Sequence, residues 1–186
     1  MSTDGSFTAT TGITVTNESV SNTCVWNALP DSGVERVEAQ SAKVGDKLYL
    51  LAGFKVNNKI TDVVEIYDTV TNTWSYGTPM PIPVTHMGTV VVGTDIWIIT
   101  GFVGNDPGVA TNKVQIYDTL TDTWSYGPDL PNPRGSGAAA FNDNKIHFFG
   151  GLLPDRNTDV GEHYILDIDN IVNGWVGKAD LPNPRN

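Results

Sequence analysis

Two stretches, EIYDTVTNTWSYGTPMP (65–81) and QIYDTLTDTWSYGPDLP (115–131), are nearly the same sentence written fifty residues apart. Self-similarity on this scale reports a repeated supersecondary unit, and the rest of the chain keeps the period. Trp26, Trp74, Trp124 and Trp175 follow one another at intervals of 48, 50 and 51. Counting 27 residues from each of the first three reaches Gly53, Gly101 and Gly151, and counting 23 reaches Tyr49, Trp97 and His147. Ten residues after Trp26, Trp124 and Trp175 stand Arg36, Arg134 and Arg185, with Val84 in that place after Trp74.

Within one period, SGAAAF (136–141), KIHFFGG (145–151), HYILDID (163–169) and NGWVGKADLP (173–182) alternate with turn residues. β-Branched and aromatic enrichment, apolar alternation and Gly, Asn, Asp and Pro punctuation are strand and turn signals. No segment carries a helical period of useful length. The spacing therefore predicts an all-β fold with four short strands per period, the dimension of a propeller blade.

The joint pattern of a strand ending in glycine, then YD…T…TW, then LP.PR resembles the kelch repeat and covers about residues 26–186. The resemblance implies a kelch-type β-propeller, with a strand-two Gly pair for close backbone approach and Tyr and Trp packed between blades. The chain departs from the pattern in having the full pair only at Gly150-Gly151, with Ala52-Gly53 and Thr100-Gly101 in the first two blades. Other phrases are similar to bacterial secreted kelch proteins and to the central propeller of galactose-oxidase-type enzymes. The copper-radical activity of the latter is not implied, because Cys24 precedes the blades and no His-His pair occurs.

The resulting division is residues 1–23 as a Thr-rich leader or pairing strand, 24–37 as an orphan outer strand with its connector, and blades at 38–85, 86–135 and 136–186. Closed propellers have four to eight blades, so three form a partial ring. The last blade has its own outer strand, so the orphan cannot close a ring within the chain. Two readings follow: a piece of a longer propeller, or a ring of six blades completed by a second copy. The closing LPNPRN (181–186), the connector phrase of 130–134 used again, favours the first.

Composition narrows the partners. The net charge of −10, with four Arg and seven Lys, argues against nucleic acid and anionic membrane, which need a basic footprint. No apolar run approaches the roughly 20 residues of a membrane span. A single Cys24 excludes an internal disulfide and cysteine-pair zinc sites, and its apolar neighbours read as a buried, inert thiol. Abundant Thr, Asn, Gly and Asp point toward an extracellular compartment.

In an antiparallel blade the loops between strands two and three share a face with the links between blades. Loops 54–62, 102–112 and 152–162 thus gather with Arg36, Arg134 and Arg185, and with His86 and Asn105. This arc suits a sugar, a carboxylate or a peptide; the competing reading has the arginines pairing with a neighbouring blade. Asp155, Asn157 and Asp159 alternate as oxygen ligands in a calcium loop do, against the commoner reading of acidic turn residues in solvent. The expected function is a non-catalytic binding or assembly module for a glycan or protein, without a required cofactor. Its alternatives are a mutarotase-like carbohydrate enzyme and a purely structural, self-assembling subunit.

Overall fold

The computed structural model describes Phe7–Thr8, Thr14–Val15 and residues 27–186; Cys24, Trp26 and most of the leader lie outside the described residues. Strands β1 (Phe7–Thr8) and β2 (Thr14–Val15) pair antiparallel. Three four-stranded antiparallel sheets follow, each a meander in chain order.

Blade 1 is built from β3 (Gln40–Val44), β4 (Lys47–Leu51), β7 (Val64–Asp68) and β8 (Thr73–Gly77). Its loop between β4 and β7 carries a small hairpin, β5 (Phe54–Lys55) against β6 (Lys59–Ile60), joined by a 3-10 turn over Val56–Asn58. Blade 2 comprises β10 (Gly88–Val92), β11 (Asp95–Val103), β12 (Val109–Asp118) and β13 (Thr123–Tyr126), with the short β9 (Val84–Thr85) added beside β11. Blade 3 comprises β14 (Ala138–Asn142), β15 (Lys145–Phe149), β16 (His163–Asp167) and β17 (Val176–Lys178), with a 3-10 segment over Ile168–Asn173.

The chain's apolar alternation is spent on two interfaces. Tyr49, Leu51 and Val64 of blade 1 meet Ile96, Ile98 and Tyr117 of blade 2. On its other side blade 2 presents Trp97, Ile99 and Val114 to Ile146, Phe148 and Leu166 of blade 3. Full burial of such a side chain contributes about 1.5–3 kcal/mol, so these interfaces hold the arc together. Successive faces of one strand thus serve successive neighbours, as the two-residue period of a strand requires.

The strand-two Gly motif has a definite cause. Ala52, Thr100 and Gly150 sit at φ +51°, +59° and +59°, and the following Gly53, Gly101 and Gly151 at +92°, +119° and +97°. A Cβ on the second glycine would lie 2.6 Å from Val37 O, 2.7 Å from Thr85 O and 2.6 Å from Gly135 O, respectively. The second position therefore admits only glycine, because the connector backbone passes against it. The first position bends the same way; in blades 1 and 2 alanine and threonine occupy it under strain, whereas in blade 3 a Cβ on Gly150 would lie 2.5 Å from Arg185 O.

The tryptophans mark the outer strands. Trp74, Trp124 and Trp175 each donate their indole N–H, at 2.8 Å, to the carbonyls of Pro30, Thr78 and Pro128 in the preceding outer-strand segment. Residues 27–37 occupy, on blade 1, the place that the end of an outer strand and its connector occupy on blades 2 and 3. Among the described residues no helix is long and apolar enough to cross a membrane.

Candidate functional site

Alternation of antiparallel strands sends the loops of the three blades to the face carrying the connectors. Loop 54–62 is the β5–β6 hairpin, loop 104–108 is the tip of the long β11–β12 hairpin, and loop 152–162 is irregular. They are braced one to the next. The Ile60 amide donates to Asn105 Oδ1 at 2.9 Å, and the Asp106 amide reaches Asn58 O at 3.4 Å. Arg156 of blade 3 then lies 3.9 Å above the Phe102 ring, donates to Pro107 O and stands 3.9 Å from Asp106. A guanidinium stacked on an aromatic ring while bonded in plane loses little freedom on docking, which suits it to bridging loops.

This rim exposes apolar side chains. Val37, Val56 and Val109 are 61%, 68% and 70% exposed. A hollow of about 390 Å³ lies beside Val37 and Val56, lined also by Glu35, Phe54, Lys55 and Asn57 among others. An adjoining hollow of about 520 Å³ is lined by Gly33, Val34, Glu35, Lys55, Val56 and Lys59.

The sequence-selected arginines occupy different environments. The Arg36 guanidinium is turned into the scaffold: it donates to Ala52 O at 3.0 Å and Val63 O at 2.9 Å, and pairs with Glu65 at 2.5 Å. Arg134, whose side chain is 1% exposed, pairs with Glu162. Burial lowers its pKa, with Tyr164 and Asp180 acting in the opposite direction. Arg36 thus answers strand-end carbonyls and the buried Glu65 carboxylate, whereas Arg134 is enclosed beside Glu162, whose side chain is 39% exposed. Arg185 alone of the three is exposed.

His86, at φ +54°, sits at the inner end of its connector, in the place of Glu38 (+57°) and Ser136 (+61°) in the neighbouring blades. Its Nδ1 lies 3.4 Å from Glu38 Oε2 and 3.1 Å from Thr85 Oγ1, and its ring stands edge-on to Phe102. Ser136 donates its amide to His86 O at 2.7 Å. Glu38, His86 and Ser136 thus line up along the start of the inner strands.

The structure does not bring Asp155, Asn157 and Asp159 together as ligands. Asp155 accepts the Thr158 hydroxyl and then the amides of Asn157 and Thr158, which together hold its carboxyl below the usual range. Asp159 Oδ1 accepts from Asn186. Among the described residues no group of three or more His, Cys, Asp or Glu is placed to hold a metal ion.

Sequence reasoning missed Arg156 as the bridge, Val56 and Val109 as exposed apolar points, and the pairing of His147 with His163 at 3.0 Å. The valines carried a signal, being aliphatic in otherwise polar loops. The histidine pair required the register of β15 and β16, which places both residues on one face.

Three meandering four-stranded sheets, set side by side with inner strands adjacent and a per-blade Trp and Gly motif, define a kelch-type β-propeller architecture. The kelch motif matches residues 35–81 and 83–131, and the chain belongs to the kelch-repeat family. It is 32% identical over 176 residues to the Kelch-like protein terF of Aspergillus terreus, covering 86% of this chain and 38% of that protein. It is 28% identical over 167 residues to Beta-scruin of Limulus polyphemus, covering 86% of this chain and 18% of that one. The solved structure of YjhT superposes with a TM-score of 0.73 at 18% identity, over 86% of this chain and 57% of that chain. The chain thus spans less than two thirds of the length of each of these relatives. Kelch repeats commonly serve as protein-interaction modules.

Proposed function

We propose that the chain is a non-catalytic recognition module that binds a protein segment across its braced loop face. The observation that carries this reading is the combination of exposed Val37, Val56 and Val109 with loops already tied together through Asn105 and Arg156. Apolar points on a pre-ordered rim bind without a large ordering cost, and exposed apolar patches on a folded surface mark interaction sites. Lys55, Lys59 and Arg156 interleave with Glu35 and Asp106 there, which favours a peptide of mixed charge over a uniformly charged ligand.

The test is panning of the chain against a displayed random-peptide library, with a glycan array run in parallel. Selected peptides are expected to lose at least tenfold in affinity with Val56→Asp or Val109→Asp and to be unaffected by Leu120→Asp, on the opposite face. Binding insensitive to the first two changes contradicts the reading, and selective glycan binding replaces the peptide with a sugar.

A second reading rests on the His86–Glu38 pair, which has the makings of an acid–base couple at the inner mouth. It favours the carbohydrate-active alternative, a mutarotase. Accelerated interconversion of free sialic acid anomers, abolished by His86→Ala, supports that reading; no acceleration by the intact chain removes it.

A further inference from the structure

The face of blade 3 turned away from blade 2 repeats, position by position, faces that are covered elsewhere in the arc. Opposite Ile66 and Ile116 stand Tyr49 and Trp97, 3% and 4% exposed; opposite Ile165 stands His147. Val64 and Val114, fully buried, hold the place that His163 holds in blade 3. In blades 1 and 2 this face lies beneath the next blade, whereas His147, Phe149, His163 and Leu181 are only half-buried.

Three registers indicate what covers such a face. The indole of each following blade donates to the carbonyl four residues beyond the preceding Trp, at Pro30, Thr78 and Pro128; after Trp175 that place is Ala179. Beside the inner strand of blade 2, Phe148 of blade 3 comes so close that a Cβ on Gly88 would lie 3.0 Å from its ring. The same hollow on blade 3, beside Ser136, Ala138, Phe149 and Leu181, is open, with about 350 Å³. Finally, Gly151 donates its amide to Arg185 O at 2.9 Å, as Gly101 does to Arg134 O at 2.9 Å where the connector delivers β14.

The histidines alter this face chemically. His147 Nδ1 and His163 Nε2 are 3.0 Å apart, and His163 Nδ1 is 3.3 Å from Ala179 O. With His163 donating to that carbonyl from Nδ1, its Nε2 is left to accept from His147, an arrangement that two uncharged rings satisfy. Phe149 stacks on His163 at 4.5 Å. Lys145 on β15 and Lys178, opposite His163 on β17, add positive charge; Asp143, in the turn before β15, lies 3.6 Å from Lys145; β14 brings no titratable side chain. Burial, His163 and Lys145 all lower the pKa of His147. Burying this face with a proton added to the neutral pair would enclose an imidazolium that has no ion-paired carboxylate among the described residues and lies near the like charges of Lys145 and Lys178.

We propose that the far face of blade 3 takes a further kelch blade, delivered in register through the connector at Arg185, and that it does so only while His147 and His163 are both uncharged. Neither arm depends on what the loop face binds. The joint is a pH-sensitive seam: closed at neutral pH with the incoming indole on Ala179 O, and opened in mild acid as the pair takes up a proton.

The test extends the full chain after Arg185 with a second copy of residues 135–185, which recreates the Arg134–Gly135 junction and brings a Phe and a Trp in the places of Phe148 and Trp175. Docking is read from hydrogen exchange of the added inner strand and from urea unfolding. It is expected to be complete at pH 7.5 and to weaken by about tenfold per pH unit for each proton taken up as the pH falls. His147→Trp with His163→Val in the original blade 3, which copies blade 2, is expected to abolish the pH dependence, and His163→Val alone to halve it. An added blade that stays undocked at pH 7.5 with the native histidines overturns the docking arm. A pH dependence unchanged in the double variant overturns the histidine arm.

Discussion

Thr100 and Gly101 show how the repeat is policed at single residues. Thr100 is 1% exposed at φ +59°, and its hydroxyl has no hydrogen-bond partner. A β-branched residue in that conformation is strained, and a buried unpaired hydroxyl costs more. Thr100→Gly is therefore expected to stabilise the chain by about 1 kcal/mol in urea unfolding. Gly101→Ala, with its new Cβ 2.7 Å from Thr85 O, is expected to cost about 3 kcal/mol or more. Acid response is set by other single residues. Asp68 and Asp118 have lowered pKa values because they accept the backbone amides of Thr71 and Val70, and of Leu120 and Thr121. Stability from these exposed carboxylates is present above the unfolded carboxylate pKa and is lost as pH falls through the folded value. Asp95 runs the opposite way: burial first, then Asp118, raises its pKa, so its charge opposes folding at neutral pH and the opposition fades in acid.

At the scale of the element, cross-strand pairs explain the Asp95 effect. Lys47 faces Asp68 in blade 1 and Lys145 faces Asp167 in blade 3, but Asp95 faces Asp118 in blade 2. Asp95→Lys restores the pattern of the neighbouring blades and is expected to add about 0.5–1 kcal/mol at neutral pH; the part due to relieved repulsion fades first, as Asp95 of the unaltered chain takes a proton, and the new pairing is lost only below the usual carboxylate range, as Asp118 takes one; thermal melts from pH 7 down to 2 check it. The outer strands make a second claim. Trp124→Phe removes the indole bond to Thr78 O and is expected to cost about 1 kcal/mol, whereas Trp175→Phe, at a 9% exposed site, is expected to cost about twice that. Equal and negligible losses in urea unfolding would detach the indole bonds from the stability of the arc. Strands and their order were legible because each four-strand unit is punctuated by its own turn residues. The Gly motif was legible in sequence but not its tolerance of Ala52 and Thr100, which depends on where the connector backbone passes.

For the whole molecule, the sequence disclosed an arc of kelch blades and the face on which its loops gather. It did not disclose which side chains on that face remain free. Arg36 and Arg134 read equally as ligand-binding or as scaffold arginines because a fixed period is demanded by either role; their pairing with Glu65 and Glu162, far away in sequence, is not legible in the period. His147 and His163 came together for the same long-range reason, through a register sixteen residues apart. What makes the loop face a single surface is contact between blades, and the bond from the Ile60 amide to Asn105 Oδ1, 45 residues away, is its simplest element. Hydrogen exchange of the Ile60 amide in Asn105→Ala tests the account most directly. Loss of a net hydrogen bond of about 1 kcal/mol is expected to speed exchange at Ile60 about fivefold, with β3 and β4 unaffected. Exchange at Ile60 identical to that of the unaltered chain would mean that the loops stand apart, and the braced face on which the proposed recognition rests would not exist.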